Sequence, residues 1–93
     1  MIRSFADKET EKVFRGVYSR SLPKEIQKRA LARLVALDQA FDLQDLRLPP
    51  SNRLEALRGD LAGFYSLRIN DQWRIVFRWE GGTALEVGIA DYH

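Results

Sequence analysis

Three consecutive residues, Asp91-Tyr92-His93, have the clearest potential for acid–base chemistry in this sequence. His93 is the single histidine of the chain, and histidine is the side chain whose ordinary pKa lies near neutral pH. A histidine at the end of a sequence is also commonly a solvated tail residue. The functional interpretation therefore depends on what the fold places beside these three residues.

The positive charge of the second half comes from arginine alone. From residue 53 onward the cations are Arg53, Arg58, Arg68, Arg74 and Arg78. The planar guanidinium group matches phosphate and stacks on bases, although arginine could also simply replace lysine on solvated strand faces. The net charge of +2 does not by itself indicate nucleic-acid binding.

Together these residues suit the cleavage of RNA by its own 2′-hydroxyl group. A base must take the 2′ proton, cations must stabilise the phosphorane, and an acid must protonate the 5′ oxygen. DNA lacks this hydroxyl and would be spared. His93, Asp91 and Tyr92 could be acid and base beside the arginines. With no cysteine and one histidine, the sequence contains no evident ligand set for a metal, and we expect no cofactor.

Length and composition predict one domain that spans residues 1–93. The chain has 93 residues, of which 45% are hydrophobic, enough for one core. The longest unbroken apolar run is four residues, 34–37, whereas a membrane helix needs about 20. No secretory signal is evident. We therefore expect a cytoplasmic protein that does not span a membrane.

The first half has the 3.6-residue periodicity of two amphipathic helices. Asp7 is a suitable N-cap for the first, and Pro23 lies near the first position of the second. The stripe of the first helix is Thr10, Val13, Phe14 and Val17. The stripe of the second is Ile26, Ala30, Leu34, Leu37 and Phe41. The basic residues of the second helix predict a solvated face, which could also contact RNA or an acidic partner: Lys24, Lys28, Arg29 and Arg33.

Shorter segments flank the helices. Residues 2–5 could form a short edge strand. Residues 42–52 form a connector, in which Asp42 could cap one more helical turn. Pro49 and Pro50 favour an extended path there.

From residue 53 the period changes to two, which predicts a β-meander. The candidate strands are 53–57, 63–69, 73–80 and 84–90. The residues predicted to face the helices are Tyr65, Leu67, Ile69, Trp73, Ile75, Phe77, Trp79, Leu85, Val87 and Ile89. The overall prediction is two N-terminal helices packed on a mostly antiparallel sheet of four to five strands.

Keeping these residues on one face fixes the register of both hairpins. In the first hairpin Leu67 faces Ile75. The second favours a three-residue loop, 81–83, over a two-residue Gly-Gly turn. Phe77 then faces Val87, and Arg78 faces Glu86.

The first register places Arg68 directly opposite Arg74 on the outer face, with Arg78 two positions further along. Opposed like charges are unfavourable, so either the side chains splay into water or an anion lies between them as in a phosphate cradle. The second register brings residues 91–93 beside residues 71–73, next to Arg74. Because Asp91 would otherwise point toward the core, the last strand is expected to end or twist at Ala90.

The sequence also resembles the HigB group of RelE/ParE-superfamily toxins over nearly its whole length. The resemblance lies in the start, residues 1–5 (MIRSF), in residues 49–60 (PPSNRLEALRGD), in residues 66–77 (SLRINDQWRIVF), and in Asp91-Tyr92-His93. It implies a bacterial type II toxin with a fold like that of microbial ribonucleases. The residues it implies for catalysis are Arg58, Arg74, Asp91, Tyr92 and His93. Arg53, Arg68 and Arg78 are expected to bind RNA.

The resemblance also implies partners. Proteins of this group enter the A site of the 30S ribosomal subunit and cut mRNA during translation. A HigA-type antitoxin with a helix-turn-helix domain neutralises them, and operator DNA is contacted only through that antitoxin. Where this chain has Arg58 some relatives carry lysine; arginine keeps the charge but is a poor proton donor.

Two other classes of function are compatible with the sequence. A ParE-like toxin would bind DNA gyrase and cleave nothing, which would leave Asp91-Tyr92-His93 without a role. A non-catalytic interaction module could instead be part of an operon repressor. A similar fold would not distinguish these functions from a nuclease.

Overall fold

The computed structural model describes residues 1–92 and confirms the predicted α+β architecture. Two helices pack on one face of a four-stranded antiparallel sheet with strand order β1-β2-β3-β4. The helices are α1 (Lys8–Phe14) and α2 (Lys24–Gln39), and the strands are β1 (Glu55–Ala56), β2 (Phe64–Arg68), β3 (Trp73–Glu80) and β4 (Thr83–Asp91). No helix in the described part of the chain is long and apolar enough to cross a membrane.

Helix α1 begins as predicted and ends earlier than predicted. Asp7 is the N-cap, and its Oδ1 atom accepts a hydrogen bond of 2.7 Å from the backbone N–H of Thr10. Gly16 has φ +79°, a left-handed conformation that helical residues do not adopt. The prediction that Val17 continues the apolar stripe is therefore wrong, and this side chain is 52% exposed.

Helix α2 buries the predicted stripe of Ile26, Ala30, Leu34 and Leu37. The fifth predicted member, Phe41, is an error, since it is 90% exposed. The helix ends at Gln39, and Ala40 adopts an extended backbone that turns the chain before residue 41. Ala40 is buried beside the stripe in its place.

The connector folds into two 3₁₀ helices, Leu43–Arg47 and Pro50–Asn52. Asp42 caps the first of them, as predicted. Pro49 is extended, but Pro50 opens the second 3₁₀ helix instead of continuing an extended path. The Nδ2 group of buried Asn52 donates hydrogen bonds to two carbonyls of the connector, at 3.1 and 3.2 Å, which tie it together just before β1.

The predicted N-terminal edge strand is present as two isolated parallel bridges, Ile2 to Ala84 and Phe5 to Val87. Backbone hydrogen bonds connect the segment to β4, including Ala6 N–H to the Val87 carbonyl at 2.8 Å. β1 is shorter than the predicted 53–57, and β4 ends one residue later than Ala90.

The first hairpin has the predicted register, with Leu67 opposite Ile75 and Arg68 opposite Arg74. Helix-facing residues of β2 and β3 are buried on one side of the sheet, and the arginines lie on the other. The alternation of the sequence therefore determined which residues of these two strands face the helices.

The second hairpin differs from the prediction near its turn. Glu80 pairs with Thr83, so the loop is the two-residue Gly81-Gly82 turn, in which φ is +54° and +81°. Positive φ at both positions is typical of a type I′ turn, whose twist matches that of the strands.

A β-bulge then restores the predicted register. The pairing shifts between Val76 and Arg78, and Glu86 on the opposite strand has φ +52°. Because of the bulge, Ala84 faces the core where Leu85 was predicted, and Arg78 pairs with Leu85 instead of Glu86. Beyond the bulge, Arg74 pairs with Ala90 as the predicted register requires.

Phe77 is the largest fully buried side chain, and its ring packs on Tyr65 and Trp79 with centroid distances of 6.1 and 6.4 Å. We expect Phe77→Ala to lower the free energy of unfolding by about 3–5 kcal/mol, because it removes a buried aromatic ring. Urea unfolding followed by circular dichroism measures this loss. The control is Phe41→Ala, at a 90% exposed position, which should change stability by less than about 0.5 kcal/mol. Equal effects at the two positions would contradict the assignment of the core.

Candidate active site

Arg74 lies on the outer face of the sheet, where three neighbours hold its guanidinium group. Its Nε donates to Ser66 Oγ at 2.8 Å, and its Nη2 donates to the carbonyl oxygen of Arg53 at 2.7 Å. Nη2 also lies 2.8 Å from Glu55 Oε1. The Arg74 side chain is only 13% exposed, so the group is fixed before any substrate binds.

This anchoring leaves one edge of the Arg74 guanidinium for other contacts. Nη1 donates no hydrogen bond within residues 1–92. A positioned cation costs little reorganisation when negative charge develops on a substrate. The geometry therefore suits a contact between Nη1 and a phosphate oxygen.

Tyr92 lies directly over Arg74. The Arg74 Cζ atom is 5.9 Å from the centroid of the tyrosine ring, within the range of a cation–π contact. The Tyr92 N–H donates to the Gln72 carbonyl at 2.6 Å, which continues the β3–β4 pairing past the end of β4. Tyr92 is 39% exposed, so a substrate could reach this residue.

Asp91 is the last residue of β4 and pairs with Trp73. The prediction that the strand ends or twists at Ala90 was wrong. This pair lies where β3 begins, at the end of the sheet, so Asp91 is exposed instead of buried. Its Oδ2 atom accepts a hydrogen bond of 3.2 Å from Gln72 Nε2. His93 lies outside the described residues. The structure thus brings Tyr92 over Arg74 and places Asp91 in the neighbouring strand pair, opposite Trp73, and the place of His93 stays a prediction.

Arg68 lies opposite Arg74, as predicted, and its guanidinium pairs with Asp71 of the hairpin loop. The two opposed arginines therefore each have a carboxylate partner, Asp71 for Arg68 and Glu55 for Arg74. Because each guanidinium is paired with a carboxylate, Arg68 and Arg74 can lie opposite each other without a large repulsion between their charges. The phosphate cradle between the arginines stays a prediction.

A second group of arginines approaches the same hairpin from α2. Arg33 Nε donates to the Arg68 carbonyl and Arg29 Nη1 to the Ile69 carbonyl, both at 3.1 Å. Burial lowers the pKa of Arg33 from its ordinary value, and repulsion by the charges of Arg29 and Arg68 lowers it further. Arg29 is exposed, as predicted for a solvated face, whereas Arg33 is half-buried, and both side chains also tie α2 to the β2–β3 hairpin.

The remaining arginines predicted for the site are Arg78, Arg53 and Arg58. Arg78, two positions along the same face, forms ion pairs with Glu80 and with Glu86, the latter at 3.2 Å. Arg53 has an exposed side chain and contributes its carbonyl oxygen to the anchoring of Arg74. Arg58 is exposed and precedes the 3₁₀ helix Gly59–Leu61; it makes no ion pair with any residue in the described range.

Glu55 and Ser66 are positioning residues that the sequence interpretation missed. Ser66 could have been found, because a register that opposes Arg68 and Arg74 makes Ser66 the diagonal neighbour of Arg74. Glu55 could not, because the two-residue strand β1 has no alternation that reveals its partner. Across residues 1–92, no three acidic or histidine side chains form a group that could hold a metal ion.

Comparison with known proteins places this site in a family context. Residues 3–93 match the model of a family described as RelE-like toxin of type II toxin-antitoxin system HigB. The chain is 40% identical over 86 residues to Toxin HigB-1 of Vibrio cholerae, which covers 91% of this chain and 90% of that protein. It is 31% identical over 93 residues to Endoribonuclease HigB of Proteus vulgaris, with both chains fully covered.

Solved structures show the same fold at low sequence identity. YafQ from E. coli strain BL21(DE3) superimposes with a TM-score of 0.58 at 12% identity, over 98% of this chain and 91% of that one. A chain of the YoeB-YefM complex from Staphylococcus aureus gives 0.59 at 19% identity, over 100% and 98%. These similarities concern the overall fold alone.

Proposed function

The chain belongs to the HigB-like family of RelE-like type II toxins, and we propose that it is a metal-independent mRNA endoribonuclease that acts on the ribosome. The observation that carries this proposal is the fixed guanidinium of Arg74 beneath the ring of Tyr92, with Asp91 at the adjacent strand end. A relative that is similar over the whole chain is named an endoribonuclease.

In the proposed reaction the 2′-hydroxyl oxygen attacks the adjacent phosphorus and the bond to the 5′ oxygen breaks. Arg74 stabilises the negative charge of the phosphorane. His93, Asp91 and Tyr92 supply the base that takes the 2′ proton and the acid that protonates the leaving 5′ oxygen. Arg58 adds positive charge only, because guanidinium does not release its proton near neutral pH. The product ends are a 2′,3′-cyclic phosphate and a 5′-hydroxyl.

The charge of the face on which Arg74 lies supports the proposed dependence on the ribosome. The net charge is +2, and Arg68, Arg74 and Arg78 each have an acidic partner. Affinity for free RNA rises with the number of phosphates neutralised, so this face should hold naked RNA weakly. Arg53 adds an exposed cation beside Arg74. The ribosome would present the message and complete the site.

The proposed partner is an antitoxin. A type II family implies one, and a structural relative was solved as the YoeB-YefM complex. For this chain we propose a HigA-type antitoxin with a helix-turn-helix domain, through which the pair contacts operator DNA. Its gene should be the neighbouring open reading frame.

Primer extension on one message, translated in a purified system and untranslated, tests the proposed function. We expect cleavage only of the translated message, with ends that are a 2′,3′-cyclic phosphate or a 3′-phosphate. Because the ribosome itself needs magnesium, the chemistry of the ends is a cleaner test of metal independence than chelation. Equal cleavage of free RNA would contradict ribosome dependence, and 3′-hydroxyl ends would contradict the mechanism. Inhibition of gyrase supercoiling without any RNA cleavage would favour the ParE-like alternative.

A further inference from the structure

The carbonyl oxygen that accepts from Arg74 Nη2 belongs to a residue with an uncommon backbone conformation. Arg53 has φ +43° and ψ +59°, in the left-handed region that non-glycine residues seldom adopt. Its side chain is exposed, so burial of that side chain does not explain the conformation. Backbone strain of this kind persists only where surrounding contacts hold it, and it is concentrated at functional sites.

The left-handed turn at Arg53 delivers two of the three contacts of Arg74. Arg53 is the C-cap of the 3₁₀ helix Pro50–Asn52, and its N–H donates to the Pro50 carbonyl at 3.1 Å. A left-handed residue at this position ends a helix and redirects the chain, here into β1. Its own carbonyl oxygen then lies 2.7 Å from Arg74 Nη2, and Glu55, two residues later, reaches the same nitrogen at 2.8 Å. A different conformation of Arg53 would move both oxygen atoms.

Asn52 connects this turn to the hydrophobic core. Its side chain is buried, with 2% exposed, and its Nδ2 group donates to the carbonyls of Leu46 and Leu48 at 3.1 and 3.2 Å. Leu46 belongs to the first 3₁₀ helix of the connector, Leu43–Arg47, and the last carbonyls of a helix have no partner within it. Because Leu46 is itself packed in the core, the Asn52 amide fixes the start of the turn relative to the core.

We propose that Asn52 is a positioning residue for RNA cleavage, which keeps Arg53 left-handed so that the Arg53 carbonyl holds the guanidinium of Arg74. The proposal rests on the proposed function, since it assumes that Arg74 stabilises the phosphorane. Asn52 is too deeply buried to contact RNA, so it acts through the backbone of Arg53. Without this hold the guanidinium can turn about its remaining contacts, and a misplacement of about 1 Å can cost about 10²-fold in rate.

Replacements of Asn52 that remove its two N–H donors test the positioning role. Asn52→Leu keeps a side chain of similar volume. Asn52→Ala leaves space for water at the two carbonyls, and it carries the test if the leucine variant does not fold. The matched control is Asp42→Ala, which removes the cap of the first 3₁₀ helix in the same connector but leaves the Asn52 amide and Arg53 in place. Circular dichroism verifies the folding of each variant.

Single-turnover cleavage on stalled ribosomes is measured with Arg74 present and in the Arg74→Ala background. With Arg74 present, Asn52→Leu should lower the saturated rate by about 10–10²-fold and leave the half-saturating concentration unchanged, because only the transition state loses a contact. In the Arg74→Ala background it should cause no further loss, since the group that it positions is absent. A smaller folded fraction would instead lower the rate in both backgrounds. Equal losses in both, or the same loss in Asp42→Ala, would overturn the positioning role while the nuclease stands.

Nuclear magnetic resonance measures the position of Arg74 without any cleavage. The Nε–H signal of Arg74 is assigned by its loss in Arg74→Ala, and its order parameter reports the motion of the guanidinium group. The order parameter should fall in Asn52→Leu and stay unchanged in Asp42→Ala. An unchanged value in a folded Asn52 variant would overturn the proposal. Absence of cleavage by the unmodified chain would overturn the proposed function and the catalytic purpose of Asn52, and a lower order parameter would still show that Asn52 positions Arg74.

Discussion

Replacement of Arg74 by alanine should lower the rate of ribosome-dependent mRNA cleavage by about 10²–10³-fold, the usual effect of removing one preorganised group that stabilises transition-state charge. Arg74→Lys should restore little of this rate. An ammonium group keeps the charge but cannot contact Ser66 Oγ, the Arg53 carbonyl and Glu55 together in the observed geometry. Single-turnover cleavage on stalled ribosomes measures the chemical step.

Stability measurements separate the site from the scaffold. Arg74→Ala leaves the helix-facing side of the sheet untouched, so it should cost less than Phe77→Ala, about 1–3 kcal/mol for its charged hydrogen bonds. Ser66→Ala is the matched control for positioning: it removes one anchor of Arg74 and retains the charge. It should reduce cleavage less than Arg74→Ala does. If Arg74→Ala unfolds the protein as readily as Phe77→Ala, the assignment of Arg74 to the outer face is wrong.

Replacement of His93 by alanine should reduce cleavage by about 10²–10⁴-fold, the range for loss of a general acid or base. We expect the free energy of unfolding to change by less than about 0.5 kcal/mol. His93→Gln should be nearly as inactive as His93→Ala. Glutamine cannot exchange a proton near neutral pH, and a misplacement of a reacting group by about 1 Å alone can cost 10²-fold in rate. Growth inhibition and cleavage assays measure the loss.

Circular dichroism and antitoxin binding are the controls for the His93 variants. Both should match those of the unmodified chain if His93 acts in catalysis alone. A folded His93→Ala protein that is as toxic as the unmodified chain would exclude His93 as a catalytic group. That result would shift support to the gyrase-binding alternative.

Periodicity was sufficient to predict much of the fold. The α2 stripe from Ile26 to Leu37 and the Arg68–Arg74 register both follow from burying apolar residues on one side. A helix of 16 residues can bury only one continuous apolar stripe, and a hairpin shifted by one residue would turn its apolar side chains to the wrong face of the sheet. The register of the last hairpin also predicted Tyr92 beside Arg74, although the alternation of β4 pointed Asp91 toward the core and the structure exposes it at the sheet's end.

Features that depend on single backbone conformations could not be predicted. Nothing in the side chain of Glu86 favours φ +52°, and yet this residue forms the bulge that exchanges Leu85 for Ala84 in the core. The sequence was compatible with either a two-residue or a three-residue loop between β3 and β4. The two-residue Gly81-Gly82 turn agrees with the pairing of Arg74 and Ala90 only because the bulge shifts the register between them. Two of the three partners of Arg74, the Arg53 carbonyl and Glu55, lie just before or in β1, whose two residues are both exposed and carry no pattern.

The anchoring of Arg74 to the β1 segment also links its position to local unfolding. β1 is two exposed residues long and pairs only with β2, and segments with few buried contacts open with far smaller free energies than the core. Each opening would withdraw the Arg53 carbonyl and Glu55 from the guanidinium while β2, β3 and β4 stay paired. The fraction of molecules competent for cleavage would then be set by the equilibrium between the open and the paired state of β1. A ligand that stabilises either state would change activity without contacting the reacting phosphate.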